Sequence, residues 1–203
     1  MTVRVKICGI TRVEDAEATI AAGGDMIGLN FFAPSPRYLA IDRARVVREA
    51  IGVRAKVIGV FVNASRGYVE EHRSALSLDL LQFSGDEDDA MMRGWPIPVI
   101  AARRIKAGAR AAASAADYVM LDAFDPKLYG GTGNRIALDD LRALDLSRTF
   151  VAGGLTPSNV AEVAALNPYA VDCASGVESS PGIKDHDKIR SFVVNVHNAK
   201  RAR

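Results

Sequence analysis

The sequence predicts an α/β protein folded as a single (β/α)8 TIM barrel. Short apolar runs and amphipathic stretches alternate eight times, at about 25 residues per unit, which is near the minimum for such a barrel. The runs are apolar on both faces, as is typical of parallel strands covered on each side. A doubly wound open sheet uses the same alternation, but no G-x-G-x-x-G sequence follows the first run, so the closed barrel is favoured.

The predicted elements fill the chain as one domain, residues 1–203, with a frayed tail at 198–203. Helices are expected to begin near Thr11, Asp42, Ser65 and Thr156-Pro157, and the first to end at Gly23-Gly24. The eight predicted strands cover residues 3–8, 26–32, 55–62, 78–83, 97–102, 117–123, 149–154 and 169–175.

Composition and charge narrow the class of protein. The chain is 49% hydrophobic and 25% charged, with a net charge of +2, which gives no electrostatic case for nucleic acid. No run reaches the ~18 apolar residues of a membrane span, and no signal-peptide layout opens the chain. Two cysteines do not make a disulfide framework. We expect a cytoplasmic protein, monomer or homodimer, whose partner is a small molecule.

Two small-residue loops indicate a phosphate site. Gly153 and Gly154 follow the seventh run, and Ser175 and Gly176 follow the eighth. Backbone N–H groups in such loops can approach an anion closely, and barrels of this class bind phosphate after these two strands. A single Gly-Gly would more simply be a turn, but the two loops together predict a phosphorylated ligand.

Cys8 follows the first apolar run, at the predicted barrel mouth. A metal site is excluded because no second Cys or His lies at ligand spacing. A disulfide to Cys173 is disfavoured, because alternation turns Cys173 outward if Asp172 points inward. Two interpretations stay open: a small hydrophobe, or a general base whose pKa, near ~8.5 in an unperturbed thiol, needs only a modest downward shift. Lys6 has the same parity as Cys8 and could assist it.

Asp122 stands at the end of the sixth run, so the strand would carry its carboxyl group to the mouth. Desolvation there would raise the pKa and suit the group to donate a proton near neutral pH. The alternative is a helix cap or a structural hydrogen bond. Facing Cys8, Asp122 would complete an acid–base pair.

Other residues at the predicted mouth are candidates for ligand binding. Arg37 lies in a loop stiffened by Pro34 and Pro36, and its planar fork suits a carboxylate or a second phosphate; the alternative is an arginine packed over its own loop. Gln82 and Asp172 end the fourth and eighth strands and are further substrate-binding candidates. The glycine-rich segment 125–135 is expected to be mobile without substrate, at Gly130, Gly131, Thr132 and Gly133.

These motifs occur together in an order that resembles one family. "KICGIT", "FFAPSPRY", "IGVFVN", "LQFSG", "YGGTG", "VAGGLTPSNV" and "VDCASGVESSPGIKD" follow one another through nearly the whole chain. In this combination the chain resembles the phosphoribosylanthranilate isomerases of tryptophan biosynthesis. The resemblance implies an Amadori rearrangement of N-(5-phosphoribosyl)anthranilate to 1-(2-carboxyphenylamino)-1-deoxy-D-ribulose 5-phosphate, with no metal or other cofactor.

The resemblance also implies residue roles. Asp122 would protonate the ribose ring oxygen, Cys8 would remove the proton from the adjacent sugar carbon, and Arg37 would hold the anthranilate carboxylate. The phosphate would be held by the backbones of Gly153, Gly154, Ser175 and Gly176.

Two stretches depart from the family pattern. Phe83-Ser84 stands where the family usually has Leu-His, and Ile136-Ala137-Leu138 where it commonly has Phe-Asp-Trp. The alternatives to the implied activity are an isomerase of a different phosphosugar and a barrel that binds a phosphorylated ligand without turnover.

Overall fold

Eight parallel strands form a closed barrel in chain order, with the eighth strand pairing back onto the first. The computed structural model describes residues 2–105, 114–123 and 136–199. The predicted α/β barrel is therefore confirmed. The strands are β1 Arg4–Cys8, β2 Met26–Asn30, β3 Lys56–Phe61, β4 Leu80–Phe83, β5 Val99–Ile105, β6 Tyr118–Ala123, β7 Thr149–Val151 and β8 Ala170–Cys173.

Helices occupy the outside of the barrel. They are α1 Val13–Ala21, α2 Ile41–Ile51, α3 Arg66–Leu76, α4 Asp89–Met92, α5 Leu138–Arg142, α6 Val160–Ala164 and α7 His186–His197. The helix predicted at 107–115, between the fifth and sixth strands, lies outside the described residues up to residue 113, and Ser114 and Ala115 are not helical. The tail beyond Ala199 also lies outside the described residues. Across the ranges that the structure describes, no helix has the length and apolar character needed to cross a membrane.

Two predicted helix boundaries are confirmed by their caps. Ser65 caps α3, where its hydroxyl accepts a hydrogen bond from the Tyr68 backbone N–H. Gly23 follows the last turn of α1 with a φ of 89°, the left-handed conformation that glycine adopts after a helix.

Three predicted helix caps are displaced by one to three residues. The N-cap of α1 is Arg12, and the Thr11 hydroxyl instead donates to the Gly182 carbonyl, 2.5 Å away. Asp42 lies inside the first turn of α2, where the positive end of the helix dipole stabilises a carboxylate. Pro157 lies in the turn before α6, which begins at Val160. In that turn the Val160 N–H donates to the Thr156 carbonyl, and the Thr156 N–H donates to Asn159 Oδ1.

Strand alternation divides the apolar residues between two layers. The barrel interior contains Met26, Ile58, Leu80, Ile100, Met120, Phe150, Ala152 and Ala170. Residues of opposite parity, such as Ile7, Leu121 and Val171, pack outward beneath the helices. Polar residues of the inward parity near the carboxyl ends of the strands therefore face the barrel mouth.

A small hairpin completes the mouth beside β8. After the one-turn 3-10 helix Ser175–Val177, strands β9 Glu178–Ser180 and β10 Ile183–Lys184 pair antiparallel, and α7 follows. The Thr11–Gly182 hydrogen bond ties this hairpin to the segment after β1.

Candidate active site

Strands β1 and β8 place Lys6 and Asp172 side by side inside the barrel. The two residues are register partners, and Lys6 Nζ lies 2.6 Å from Asp172 Oδ1. Cys8 has the same parity one step nearer the mouth and is partly exposed. Cys173 is buried in the outer layer, where its thiol donates to the Leu155 carbonyl. The expected opposite orientations of Cys8 and Cys173 are confirmed, and both are free thiols.

The pKa of the Cys8 thiol is raised. Burial is the largest cause; the Lys6 ammonium opposes it, and the Asp172 carboxylate adds to it. The shift is opposite to the downward one that a base at neutral pH needs. The pKa of Lys6 is also raised: burial lowers it, but Asp172 and Cys8 together raise it further. Lys6 is therefore a buried ammonium directly beside the thiol.

Gly28 on β2 leaves room for these side chains. It is the register partner of Cys8. A Cβ at Gly28 would lie 2.8 Å from Cys8 Sγ and 3.3 Å from Lys6 Cε, both closer than ordinary van der Waals contact. The missing side chain at Gly28 thus allows the thiol and the lysine stem to share the interior.

Asp122 lies on β6 with the inward parity of Met120. Counting through β8 and β7, β6 is three strands from β1, so Asp122 approaches the mouth from the far side of the barrel from Cys8. Its side chain is partly exposed. This placement at the carboxyl end of a strand is the one the sequence predicts.

Gln82 on β4 presents a buried amide to the interior. Only 4% of the residue is exposed. Its Nε2 donates to Ser84 Oγ, 2.9 Å away, and its Oε1 has no hydrogen-bond partner among the described residues. A buried acceptor left without a donor is costly, which suits an atom that a ligand completes.

The departures from the family pattern lie largely outside the mouth. Phe83 faces the helix layer, where its ring centroid lies 6.2 Å from that of Phe61 and 6.1 Å from that of Trp95. Ile136 and Leu138 pack against the same outer core. Of these departures, Ser84 is the one that contacts an inward-facing residue, Gln82.

The two small-residue loops meet. Gly153 and Gly154 have φ values of 85° and 59°, a backbone that glycine adopts without strain. A Cβ at Gly176 would collide with the Leu155 carbonyl oxygen, so the loop after β8 packs directly on the loop after β7. Ser175 begins the 3-10 helix that follows β8. The predicted phosphate residues therefore lie on adjoining loops.

Arg37 is held by Glu178 from the hairpin. Arg37 Nε lies 2.8 Å from Glu178 Oε1, and Nη2 lies 2.8 Å from Oε2. The stem crosses Gly9, where a Cβ would be 2.5 Å from Arg37 Cδ. The side chains of Arg37 and Glu178 are only 17% and 5% exposed. Arg37 is thus fixed in place and does not pack loosely over its own loop.

Lys184 connects this pair to the end of β1. Its ammonium donates to Glu178 Oε1 at 2.8 Å, to the Cys8 carbonyl at 2.7 Å and to the Ala174 carbonyl at 3.2 Å. The Lys184 side chain is fully buried. Three acceptors match the three N–H donors of the ammonium.

Sequence reasoning did not single out Glu178 and Lys184. Both stand in the motif "SGVESSPGIKD", where a glutamate and a lysine separated by small residues resemble solvated loop charges. The signal that could have found them is charge balance, since an arginine held at a mouth needs a partner. The predicted mobile residues Gly130, Gly131, Thr132 and Gly133 lie outside the described residues.

Comparisons with known proteins point to one family. The family model for N-(5'phosphoribosyl)anthranilate (PRA) isomerase matches residues 5–195. An N-(5'-phosphoribosyl)anthranilate isomerase of Pseudomonas fluorescens strain Pf0-1 is 49% identical over 199 residues, which are 94% of this chain and 97% of that protein.

Solved structures that are similar to this chain include members of the same family. The phosphoribosyl anthranilate isomerase of Thermus thermophilus superposes with a TM-score of 0.86 at 35% identity, covering 96% of this chain and 98% of that one. A phosphoribosyl anthranilate isomerase solved with reduced 1-(o-carboxyphenylamino)-1-deoxyribulose 5-phosphate has a TM-score of 0.79 at 31% identity, with 96% and 98% covered. From its sequence, its barrel and these relatives, the chain belongs to the N-(5'-phosphoribosyl)anthranilate isomerase family.

Proposed function

We propose that this chain isomerises N-(5-phosphoribosyl)anthranilate to 1-(2-carboxyphenylamino)-1-deoxy-D-ribulose 5-phosphate in tryptophan biosynthesis, with Asp122 as general acid and Cys8 as general base. The observation that carries the proposal is that these two side chains lie on the inward parity of strands three apart, at the carboxyl ends that form one mouth. An Amadori rearrangement needs an acid at the ring oxygen and a base at the neighbouring carbon, and each group must reach its atom from its own side.

Asp122 acts first. Its carboxyl proton passes to the ribose ring oxygen while the C1–O bond breaks, and the anthranilate nitrogen supplies the electron pair that forms the iminium. The ring oxygen leaves as a hydroxyl, and Asp122 becomes a carboxylate. Asp122 lies near the carboxyl end of β6, and the carboxyl ends of barrel strands are where this fold carries its catalytic groups.

Cys8 acts second. Its thiolate removes the C2 proton, and the C2–H electron pair forms the C1=C2 double bond as the iminium nitrogen recovers its lone pair. The product of this step is an enolamine, which becomes the ketone by moving the C2 hydroxyl proton to C1. The Lys6 ammonium lowers the pKa of Cys8 only in part, and burial leaves it raised. The iminium formed in the first step adds a second cation beside the thiol, and nearby positive charge favours the thiolate.

The remaining mouth residues bind the substrate. The phosphate accepts hydrogen bonds from the backbones of Gly153, Gly154, Ser175 and Gly176, in line with the phosphate sites of other barrels. Arg37 takes the anthranilate carboxylate, to which its planar fork is matched. The Gln82 amide and the Asp172 carboxylate face the sugar.

Every residue assigned to the reaction comes from one chain, so a monomer and a homodimer would both be competent. We place the enzyme in the cytoplasm as part of the same proposal. The two free thiols, one of them assigned to catalysis, favour a reducing compartment.

The test is turnover of substrate made in the assay from anthranilate and phosphoribosyl pyrophosphate. We expect the purified chain to accelerate the decay of the anthranilate-conjugate fluorescence and to form the carboxyphenylamino-deoxyribulose phosphate, identified by mass. A chain that binds the reduced product but leaves the decay unchanged would be a non-catalytic binding barrel. Turnover of another phosphosugar alone would assign a different isomerase.

A further inference from the structure

The Arg37 guanidinium bonds Glu178 through one of its edges. Its Nε and Nη2 atoms donate to the two oxygens of Glu178. Within the part of the chain that the structure describes, Nη1 has no protein acceptor. A guanidinium carries five N–H donors in a rigid plane, so occupation of the Nε–Nη2 edge leaves the Nη1–Nη2 edge as the one able to receive a second carboxylate.

Glu178 is itself held rigidly. Its Oε1 accepts from Lys184 Nζ at 2.8 Å and from the Gly182 N–H at 3.3 Å, in addition to Arg37. Burial alone would raise the pKa of Glu178, but the hydrogen bonds from Arg37 and Lys184 lower it further than burial raises it. The carboxylate is therefore ionised and cannot turn away without breaking several charge-assisted bonds.

The charges in this cluster do not cancel. Arg37 and Lys184 are cations and Glu178 is the anion between them, so the three buried groups carry a net charge of +1. Since all three Lys184 donors are used within the chain, the excess positive charge is available to a ligand through Arg37. An anion at the Nη1–Nη2 edge would neutralise the cluster.

We propose that Glu178, anchored by Lys184, is a positioning residue that orients the Arg37 guanidinium, so that the mouth selects ligands with a carboxylate at the Nη1–Nη2 edge. This inference rests on the proposed role of Arg37 as the partner of the anthranilate carboxylate. Lys184 also bonds the Cys8 carbonyl. It therefore fixes the position of the Arg37 Nη1–Nη2 edge relative to the strand end that carries the base.

The experiment compares two ligands by calorimetric titration. One is reduced 1-(o-carboxyphenylamino)-1-deoxyribulose 5-phosphate, and the other is the same molecule without the carboxylate. The measured quantity is the selectivity ratio, the Kd of the second ligand divided by the Kd of the first. We expect Glu178→Gln to lower this ratio about tenfold, the size expected for loss of a well-placed charge-assisted contact, and to change the Kd of the carboxylate-free ligand by less than about twofold.

Further variants test whether the change in the selectivity ratio comes from the contact between Glu178 and Arg37. Arg37→Met is expected to bring the ratio near one, and adding Glu178→Gln to it is expected to lower it no further. Glu178→Asp keeps the buried charge but shortens its reach, so its ratio is expected to lie between those of the native chain and Glu178→Gln. Glu17→Gln is the matched control, because Glu17 forms a similar two-contact pair with Arg54 on the surface, and its ratio is expected to stay native.

The outcomes separate the two proposals. Equal weakening of both ligands by Glu178→Gln and Glu178→Asp would reduce Glu178 to a structural residue and overturn the positioning role. Tighter binding of the carboxylated ligand in Glu178→Gln would show that Glu178 competes for Arg37, which also overturns it. A native ratio already near one would overturn the assignment of Arg37 itself, whatever Glu178 does.

Discussion

The Lys6 ammonium and the Asp172 carboxylate lie 2.6 Å apart inside the barrel, directly below the Cys8 thiol. Lys6 favours the thiolate and Asp172 disfavours it, and the influence of Lys6 is the larger of the two. The pair therefore sets the balance of charge at the proposed base. The Lys6–Asp172 pair also places charged groups in the upper barrel interior, a position that aliphatic side chains could fill equally well.

In the pH profile of kcat/KM, Lys6→Met is expected to shift the limb that rises with pH to higher pH. Removing the ammonium removes the main cause that lowers the pKa of Cys8, and burial remains. Activity at pH 7 should fall about tenfold for each unit by which the limb moves, with partial recovery in alkaline buffer. Lys56→Met, which breaks the surface pair with Asp79, should keep the native profile. A limb that stays at its native pH in Lys6→Met would remove Lys6 from the mechanism.

The same pair predicts a non-additive effect on stability. Lys6→Met leaves a carboxylate without its buried partner, and should lower the free energy of unfolding by ~3–5 kcal/mol. Replacing both residues, as in Lys6→Met with Asp172→Leu, should cost less than the single change because no unpaired charge remains. Urea unfolding of the two variants and of Asp172→Leu alone measures the coupling. Additive losses would show that the pair contributes no interaction energy.

Strand alternation made much of this site readable in advance. Cys8, Asp122 and Asp172 all lie at the mouth because each ends an apolar run on the inward parity, and Cys173 turns outward by the same rule. The loops after the seventh and eighth strands were readable from their small residues. What these predictions share is dependence on local sequence and on the order of strands in a closed barrel.

The ion pairs were not readable in the same way. Glu178 follows Arg37 by 141 residues, and nothing in the spacing says that a loop glutamate becomes buried against it. The direction of the Cys8 pKa shift depends on how much protein surrounds the thiol, which a sequence does not state. Helix caps failed for a related reason: Thr11 has a distant acceptor, the Gly182 carbonyl, that competes with the local role.

Asp15 on α1 should contribute a pH-dependent part of the stability. It is fully buried, and it accepts hydrogen bonds from Arg12, from His186 Nε2 at 2.9 Å and from the Lys184 N–H at 3.2 Å. Burial raises its pKa, but the bonds from Arg12 and His186 outweigh burial, so the pKa lies below its ordinary value of 3.8. A carboxyl group whose pKa is lower in the folded state stabilises the fold fully at pH values above its unfolded-state pKa. This contribution is lost as the pH falls through the folded-state pKa.

Asp15→Asn is therefore expected to cost about 1–3 kcal/mol at pH 7 and less in acid, below the ordinary pKa. Urea unfolding at pH 7 and near pH 3 gives the two values. Asp42→Asn, at an exposed residue paired with Arg45, should change stability little at either pH. A loss from Asp15→Asn that is the same at both pH values would show that the charge of Asp15 does not contribute.

Gly28→Ala is expected to reduce turnover while the chain stays folded. The added Cβ would lie 2.8 Å from Cys8 Sγ, so the thiol must move, and a displacement of about 1 Å at a reacting group can cost about 100-fold in rate. Gly67→Ala is the matched control, since a Cβ there meets nothing within 4 Å and should keep native kcat. Native kcat in Gly28→Ala would mean that the position of the thiol is not critical.

The most direct test of the acid–base assignment is to measure kcat and the Kd of the reduced product together for Cys8→Ser and Asp122→Asn. We expect each variant to lose most of its turnover, at least about 100-fold for a general acid or base. We expect both to keep native affinity for the reduced product, because the contacts proposed for that ligand come from Arg37 and from the loops after β7 and β8. Native turnover in either variant would contradict the role assigned to that residue, and loss of affinity in step with turnover would make it a binding residue.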